Sequence, residues 1–115
     1  MFEYEEILPF QNELPADFAD RLGLIYNSKV NKSHKKTAGQ FFTPVEIARF
    51  MAKQADFFFD EVSILDPGCG TGILTCSLTE HLIQSNNIKK VKIVAYETDN
   101  GVIEYSQAAF NYLKS

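Results

Sequence analysis

The residue types best suited to chemistry lie in a glycine-rich segment, Asp66-Pro67-Gly68-Cys69-Gly70-Thr71-Gly72, between a predicted strand and a predicted helix. Its glycines are spaced G-x-G-x-G, unlike the G-x-G-x-x-G fingerprint of dinucleotide-binding sites. In open parallel sheets, ligands bind beyond the carboxyl ends of strands. Glycine lets the backbone approach a ligand closely, and the N–H groups that begin the next helix attract an anionic group such as a carboxylate. A tight turn without a ligand is the alternative, and Asp66 at the strand end favours the binding site.

Glu97 is the second candidate, because it stands at the end of a second predicted strand. It follows Gly72 by 25 residues, close to the distance of about 20 at which an acidic residue of a nucleotide-binding sheet accepts hydrogen bonds from ribose hydroxyls. The alternative for Glu97 and for Asp99 is capping of the next helix. Capping is favoured for Asp99, which directly precedes Asn100-Gly101, and ribose binding is favoured for Glu97.

Apolar periodicity predicts the elements that position these residues. They are a helix over 16–30, a polar loop over 27–40, a helix over 43–55, a buried strand over 62–65, a helix over 72–85, a strand over 91–96 and a helix over 103–113. Strands that alternate with helices form a parallel sheet. The predicted fold class is therefore α/β.

The second of these helices has a start signal in Thr43-Pro44-Val45-Glu46. Thr43 suits the N-cap position, Pro44 suits the first helical position, and Glu46 completes a capping box with Thr43. The apolar side chains that this helix is expected to offer for packing are Ile47, Phe50 and Met51.

The length predicts one domain or a part of one, since the chain has 115 residues and domains usually have about 100–200. We divide it into an acidic lead-in and helix, residues 1–35, and a partial ligand-binding domain, residues 36–115. The 53 residues from Ser63 onward have room for only one βαβ unit of about 30 residues and a further helix. A doubly wound sheet needs several more strands, so the domain is expected to be incomplete.

Charge and composition exclude several classes of protein. The net charge of −4 argues against a self-sufficient nucleic-acid-binding protein, although a basic island over 29–36 is either a solvated linker or a phosphate-contacting loop. No apolar run approaches the roughly 18 residues of a membrane span, and the acidic N-terminus is unlike a secretory signal. Cys69 and Cys76 form no disulfide framework, and His34 and His81 have no partner at metal-ligand spacing. A reduced cytoplasm is the expected location.

Three blocks of the chain resemble, in order, the first conserved blocks of N6-adenine DNA methyltransferases of restriction–modification systems. They are Gly39-Gln40-Phe41-Phe42-Thr43-Pro44, the segment 66–72 described above, and Tyr96-Glu97-Thr98-Asp99. This order, with the block called motif X first, is that of the gamma group. Leu22-Gly23-Leu24-Ile25-Tyr26 and Lys35-Lys36-Thr37 also resemble the lead-in of type I modification subunits and of fused restriction–methylation enzymes.

The resemblance covers about residues 20–113. It implies the N-terminal half of a Rossmann-like fold that uses S-adenosylmethionine as cofactor. The cofactor-binding residues that it implies are Gln40, Phe41, Phe42, Thr43, Asp66, Gly68, Cys69, Gly70, Glu97 and Thr98. The block before the second helix would line the methionine end of the cofactor, and the glycine-rich segment would hold its amino and carboxylate groups. Glu97 would bind the ribose, with Thr98 beside the adenine.

Two of these positions have alternatives. Phe41 and Phe42 fit a place in the hydrophobic core equally well. Cys69 looks like a nucleophile, but it matches a cysteine of the family that has no catalytic role, and its small side chain fits a crowded turn. We therefore interpret Cys69 as structural.

The catalytic block of this family, Asn/Asp-Pro-Pro-aromatic, has no counterpart in the chain. That block accepts hydrogen bonds from N6 of a flipped-out adenine. The four prolines, at 9, 15, 44 and 67, are isolated, so no catalytic residue is assigned and the chain alone is expected to transfer no methyl group. The expected partners are DNA, reached through the full-length enzyme, a specificity or restriction subunit, and a second copy of the chain, paired through the edge of the first strand or the aromatic run 57–59.

Two other classes of protein remain as alternatives. An rRNA adenine dimethyltransferase also places a Gly-Gln-aromatic block before its glycine loop, but Thr43-Pro44 and Asp66-Pro67-Gly68-Cys69 depart from its pattern. The other alternative is a non-catalytic remnant whose surviving surface binds a partner subunit.

Overall fold

A computed structural model of the chain describes residues 7–29, 42–55, 60–85 and 88–114. Its elements are α1 (Pro15–Lys29), α2 (Val45–Ala52), β1 (Glu61–Asp66), α3 (Ile73–Ser85), β2 (Lys90–Ala95) and α4 (Asn100–Lys114). The order and type of these elements confirm the prediction of a mixed α/β fold. No helix in the described ranges is long and apolar enough to cross a membrane.

β1 and β2 pair in parallel over all six residues of each strand. Parallel neighbours need a crossover connection, which α3 supplies. The pairing continues beyond the strands, because the Tyr96 N–H donates to the Asp66 carbonyl and the Cys69 N–H donates to the Tyr96 carbonyl, both at 2.9 Å. These bonds hold the glycine-rich segment beside the residues that follow β2.

The two faces of this sheet have different surroundings. Side chains of β1 and β2 alternate between half-buried and exposed, and Leu65 on the outer face is 67% exposed. On the inner face, Val91, Ile93 and Ala95 border a cleft of about 650 Å³ that α3 and α4 also line. The prediction of a buried first strand is wrong for its outer face, because α3 and α4 lie on the inner side.

The hydrophobic core lies among the helices. α1 packs against α3 and α4, and α2 packs against α3. The periodicity that predicts α1 is confirmed, because Phe18, Leu22 and Tyr26 are buried in this core with Cys76 of α3 and Tyr105 of α4. Each large apolar side chain contributes about 1.5–3 kcal/mol when fully buried. α1 therefore shares one core with the helices that flank the predicted site.

The start of α2 differs from its prediction. Pro44, with extended backbone angles (φ −61°, ψ 148°), occupies the N-cap position and makes no side-chain capping bond. Its carbonyl accepts a helical hydrogen bond from the Ala48 N–H at 3.0 Å. The predicted capping box of Thr43 and Glu46 is wrong, because Pro44 takes the cap position and has no side-chain donor or acceptor.

The packing face of α2 also differs from its prediction. Ile47, Phe50 and Met51 are each more than half exposed, whereas Val45 and Ala48 are buried. The methyl side chain of Ala48 lets α2 approach its neighbours closely, and the larger side chains then point outward.

A cluster of charged side chains joins three of the helices. Arg49 of α2 donates to both carboxylate oxygens of Asp17 in α1, each at 2.9 Å, and its Nη2 lies 3.6 Å from Glu80 Oε2 in α3. The other oxygen of Glu80 accepts a 2.7 Å hydrogen bond from the Ala16 N–H in the first turn of α1. Because the first N–H groups of a helix have no partner within it, Glu80 stabilises the beginning of α1.

Replacing Glu80 tests this cluster. Glu80→Ala leaves the N–H of the fully buried Ala16 without its acceptor, so we expect the free energy of unfolding to fall by about 1–3 kcal/mol. Glu80→Gln keeps an oxygen acceptor and loses only the ion pair, which should cost less than about 1 kcal/mol. Urea denaturation followed by circular dichroism measures both values. Glu104→Ala, at an exposed position of α4, is the control, and a loss as large as that of Glu80→Ala would contradict the role of Glu80.

Candidate functional site

The glycine-rich segment forms a tight loop between β1 and α3. The Gly72 N–H donates to the Cys69 carbonyl at 2.8 Å, and the Gly72 carbonyl accepts a hydrogen bond from the Cys76 N–H in the first turn of α3, also at 2.8 Å. Gly70 and Gly72 have φ angles of +56° and +93°, in the left-handed region that glycine enters most easily. These two glycines are therefore required by the loop itself.

The three glycines of the loop have different surroundings. A Cβ atom added to Gly70 would lie 3.0 Å from the Phe42 ring, and one added to Gly72 would lie 2.9 Å from the Phe110 ring. A Cβ atom added to Gly68 would meet no atom within 4 Å. Gly68 therefore faces open space at the end of β1, where a ligand can approach the backbone.

Glu97 bonds directly to this loop. Its carboxylate accepts one hydrogen bond from the Gly70 N–H and one from the Asp99 N–H, each at 2.9 Å and each on a different oxygen. A carboxylate offers about four acceptor positions, so Glu97 keeps capacity for the hydroxyl groups of a ligand. The structure thus brings the two parts of the predicted site together.

Asp99 caps α4, as predicted. Its Oδ1 accepts a 2.8 Å hydrogen bond from the Gly101 N–H, and its carbonyl accepts one from the Val102 N–H at 3.0 Å. α4 consequently starts at Asn100, three residues before its predicted start.

Asp66 is half-buried at the end of β1 and is held by α3. The Thr75 hydroxyl donates to Asp66 Oδ2 at 2.7 Å. This bond fixes the carboxylate beside the loop, where it can accept a hydrogen bond from a donor such as an amino group. Thr75 is not among the residues that the sequence predicts for the site. The sequence feature that could have indicated it is a hydroxyl residue in the first turn of the helix after the loop.

Cys69 has the surroundings of a structural residue. It is buried, and burial, followed by the nearby charges of Asp66 and Glu97, raises its pKa to about 11. The thiol therefore keeps its proton near neutral pH, whereas the thiolate is the reactive form. This agrees with the interpretation of Cys69 as structural.

The block before α2 is only partly described. Gln40 and Phe41 lie outside the described residues, as do the aromatic run at 57–59 and the basic island beyond Lys29. Phe42 and Thr43 line a depression of about 60 Å³ together with the loop from Gly68 to Thr71 and the start of α3. Sites for whole small-molecule ligands usually enclose about 300–1,000 Å³, so this depression fits one small group of a larger ligand.

Phe42 and Tyr26 connect the loop to α1. The two rings meet edge to face with centroids 6.0 Å apart, and Phe42 also packs against Gly70. Phe42 thus combines a packing role with a place at the edge of the site. In the sequence, Tyr26 belongs to the predicted helix over 16–30 and to the segment that resembles the lead-in of type I modification subunits, and neither feature placed it at the site. Thr98 is exposed beyond β2.

A parallel βαβ unit with a glycine-rich loop after its first strand and an acidic residue after its second also occurs in dinucleotide-binding α/β domains. The chain belongs to the N-6 DNA Methylase family, whose model matches residues 18–112.

Individual relatives include two type II methyltransferases and the methylase subunit of a type I restriction enzyme. The chain is 30% identical to the type II methyltransferase M.VspI of Vibrio sp. (strain 343), over 77% of this chain and 21% of that protein. It is 28% identical to the type II methyltransferase M.AccI of Acinetobacter calcoaceticus, over 75% of this chain and 15% of the relative. It is 40% identical to the type I restriction enzyme EcoEI methylase subunit of Escherichia coli, over 45% of this chain and 10% of the subunit.

The chain therefore matches between a tenth and about a fifth of the length of these relatives. No solved structure shows a significant match.

Alanine substitutions compare the stability contribution of Gly70, which the loop requires, with that of Gly68, which faces open space. Gly70→Ala places a side chain in the left-handed region and against Phe42, so we expect the free energy of unfolding to fall by about 1–2 kcal/mol. Gly68→Ala should change it by less than about 0.5 kcal/mol. Urea denaturation of both variants measures the difference, and equal stabilities would show that the loop does not depend on the conformation of Gly70.

Thiol alkylation tests the surroundings of Cys69. With a pKa of about 11 in the folded chain, against the ordinary cysteine value of 9.0, its thiolate fraction at pH 8 is about a hundredfold lower than that of an ordinary cysteine. Iodoacetamide should therefore modify Cys69 about a hundredfold more slowly in the native chain than in urea. Peptide mass spectrometry follows the reaction at Cys69 separately from Cys76. A native rate close to the rate in urea would contradict the protected thiol.

Proposed function

We propose that this chain forms the S-adenosylmethionine-binding part of an adenine-specific N6 DNA methyltransferase of a restriction–modification system. The observation that carries the proposal is the pair of hydrogen bonds from the Gly70 and Asp99 N–H groups to Glu97. They hold an acidic side chain at the junction of a glycine loop and the second strand, in a chain that belongs to the N-6 DNA Methylase family.

The residues present fit the nucleoside half of this cofactor. Glu97 is already oriented by two backbone N–H groups and keeps acceptor capacity for the two ribose hydroxyls. Thr98, exposed directly after it, would lie beside the adenine. A carboxylate that is oriented before the ligand arrives loses less conformational freedom on binding.

The methionine half of the cofactor would lie against the loop. Asp66, held by Thr75, would accept a hydrogen bond from the amino group. The N–H groups of Cys69 and Gly70 already donate to Tyr96 and Glu97, so contact with the carboxylate falls mainly to the open backbone at Gly68.

The block before α2 would close the methionine end. Phe42 and Thr43 border the depression next to the loop, and Gln40 and Phe41 join them by resemblance alone. When bound, the cofactor supplies an electrophilic methyl group on a sulfonium. The residues of this chain bind and orient that group, and none of them is proposed to act on the adenine.

The fold of the complete domain and its partners are also proposals. We propose the N-terminal half of a Rossmann-like methyltransferase fold, with the division between lead-in and domain at residues 35 and 36. The relatives include a methylase subunit of a type I restriction enzyme, which supports DNA and a specificity or restriction subunit as partners and a cytoplasmic location. The match to a DNA methylase family favours DNA over ribosomal RNA as substrate.

Self-association of the chain is a further part of the proposal. The outer face of the sheet exposes Leu65, 67% exposed, beside Val94, 38% exposed, and these two residues are directly opposite each other in the register. In the two-stranded sheet that the structure describes, β1 is also an edge strand, and the backbone groups along such an edge favour pairing with another chain. A second copy would cover this surface.

Calorimetric titration with S-adenosylhomocysteine, the demethylated product of the cofactor, tests the site. We expect weak binding to the wild-type chain and about 10- to 100-fold weaker binding to Glu97→Ala, since hydrogen bonds to a charged group are worth about 1.5–3 kcal/mol. Glu97→Gln keeps the shape and one acceptor oxygen, so its affinity should lie between the two.

The control variant is Glu104→Gln, which changes the same charge on the exposed face of α4 and should bind like the wild type. Melting temperatures show whether each variant is folded. Equal affinity of wild type and Glu97→Ala would remove Glu97 from the site, and no binding by the folded wild type would overturn the proposal.

A further inference from the structure

Tyr26 is a buried residue of α1 whose polar end reaches the candidate site. Its side chain is 4% exposed, and its hydroxyl donates to Asp99 Oδ2 at 3.2 Å. Its ring meets the Phe42 ring edge to face, with centroids 6.0 Å apart, and packs in the same way against Tyr105 at 5.5 Å. One side chain of α1 therefore contacts segments on both sides of the site.

These contacts close a ring. Tyr26 donates to Asp99, the Asp99 N–H donates to Glu97, and the Gly70 N–H donates to the other oxygen of Glu97. Gly70 then packs against Phe42, which returns to Tyr26. The ring joins four segments of the chain, namely α1, the block before α2, the loop after β1 and the residues after β2.

We propose that Tyr26 is a positioning residue of the cofactor site, which fixes the orientation of Glu97 through Asp99. The proposal rests on the proposed function. In this proposal Tyr26 acts through Asp99, and its role is to hold the backbone of residues 97–101 in a fixed position beside the loop. Its ring supports Phe42, and its hydroxyl anchors Asp99, so the two halves of the side chain act on opposite ends of the site.

The chemistry of the hydroxyl suits this role. One carboxylate oxygen of Asp99 caps α4 by accepting a hydrogen bond from the Gly101 N–H, and the other accepts a hydrogen bond from the Tyr26 hydroxyl. With both oxygens engaged, the Asp99 side chain has little freedom to rotate, and its N–H stays directed at Glu97. Burial and the charge of Asp99 raise the pKa of Tyr26 to about 12, so the hydroxyl keeps its proton and remains a donor.

Amide chemical shifts in Tyr26→Phe test the ring of contacts without any ligand. This variant keeps the aromatic ring and removes the hydroxyl that donates to Asp99. We expect the amide signals of Asp99 and Gly101 to move, and the Gly70 signal to move with them, because Gly70 donates to the same Glu97 carboxylate. Tyr112→Phe is the matched control, since it removes a tyrosine hydroxyl that donates to the Glu13 carbonyl, away from the loop, and should leave the Gly70 signal in place.

Binding measurements then separate positioning from a purely structural role. Tyr26→Phe should bind S-adenosylhomocysteine and 5′-methylthioadenosine, which lacks the amino acid group, about 3- to 10-fold more weakly, and by the same factor for both ligands. Thr75→Val removes the bond that holds Asp66 and should weaken S-adenosylhomocysteine binding alone. We therefore expect Tyr26→Phe to weaken contacts to the nucleoside half of the ligand and Thr75→Val to weaken contacts to its amino acid half.

The outcomes distinguish the two proposals. An unmoved Gly70 signal, or unchanged affinities with only a lower melting temperature, would overturn the positioning role while leaving the binding function intact. A folded wild-type chain that binds neither ligand would overturn the proposed function and the cofactor role of Tyr26 together, whereas the Gly70 signal would still show whether Tyr26 and the loop are coupled.

Discussion

The organisation of the site depends on one interaction, the hydrogen bond from the Gly70 N–H to Glu97. β1 and β2 run in parallel and end side by side, so the loop after one strand lies next to the residues after the other. The Glu97 carboxylate joins these two segments, because it accepts a hydrogen bond from the loop and another from the Asp99 N–H. The backbone hydrogen bond from the Cys69 N–H to the Tyr96 carbonyl already holds the two segments side by side, and the bond from Gly70 fixes the Glu97 side chain against the loop.

The helices supply the rigidity that such a site requires. The core lies among α1, α2, α3 and α4 rather than between the helices and the sheet, where a cleft of about 650 Å³ remains beneath β2. Arg49 and Glu80 join α1, α2 and α3 by charge. Sites are more precise when their side chains are held by packed elements and supporting hydrogen bonds. α1, which precedes all the recognised blocks of the site, therefore belongs to its supporting structure.

Several large apolar side chains lie exposed on the described part of the chain. The outer face of the sheet leaves Leu65 uncovered, and α2 exposes Ile47, Phe50 and Met51. The depression beside the loop holds about 60 Å³, far below the volume of a whole cofactor. The chain spans 21% of one relative and less of the others. Large exposed apolar patches are typical of surfaces that contact a partner.

The sequence by itself determined what depends on neighbouring residues. The order of helices and strands, the cap of α4 by Asp99 and the loop at the end of β1 each follow from residue patterns within a few positions. The hydrogen bonds within the helices, the cap and the turn of the loop join residues close in the chain. Only the tertiary structure decided which face of α2 is buried, and that Tyr26 reaches Asp99, 73 residues away. The loop shows the same contrast between sequence and tertiary structure, because its three glycines look equivalent in the sequence. Their different roles arise from what packs against each one, and packing partners distant in sequence leave no local pattern.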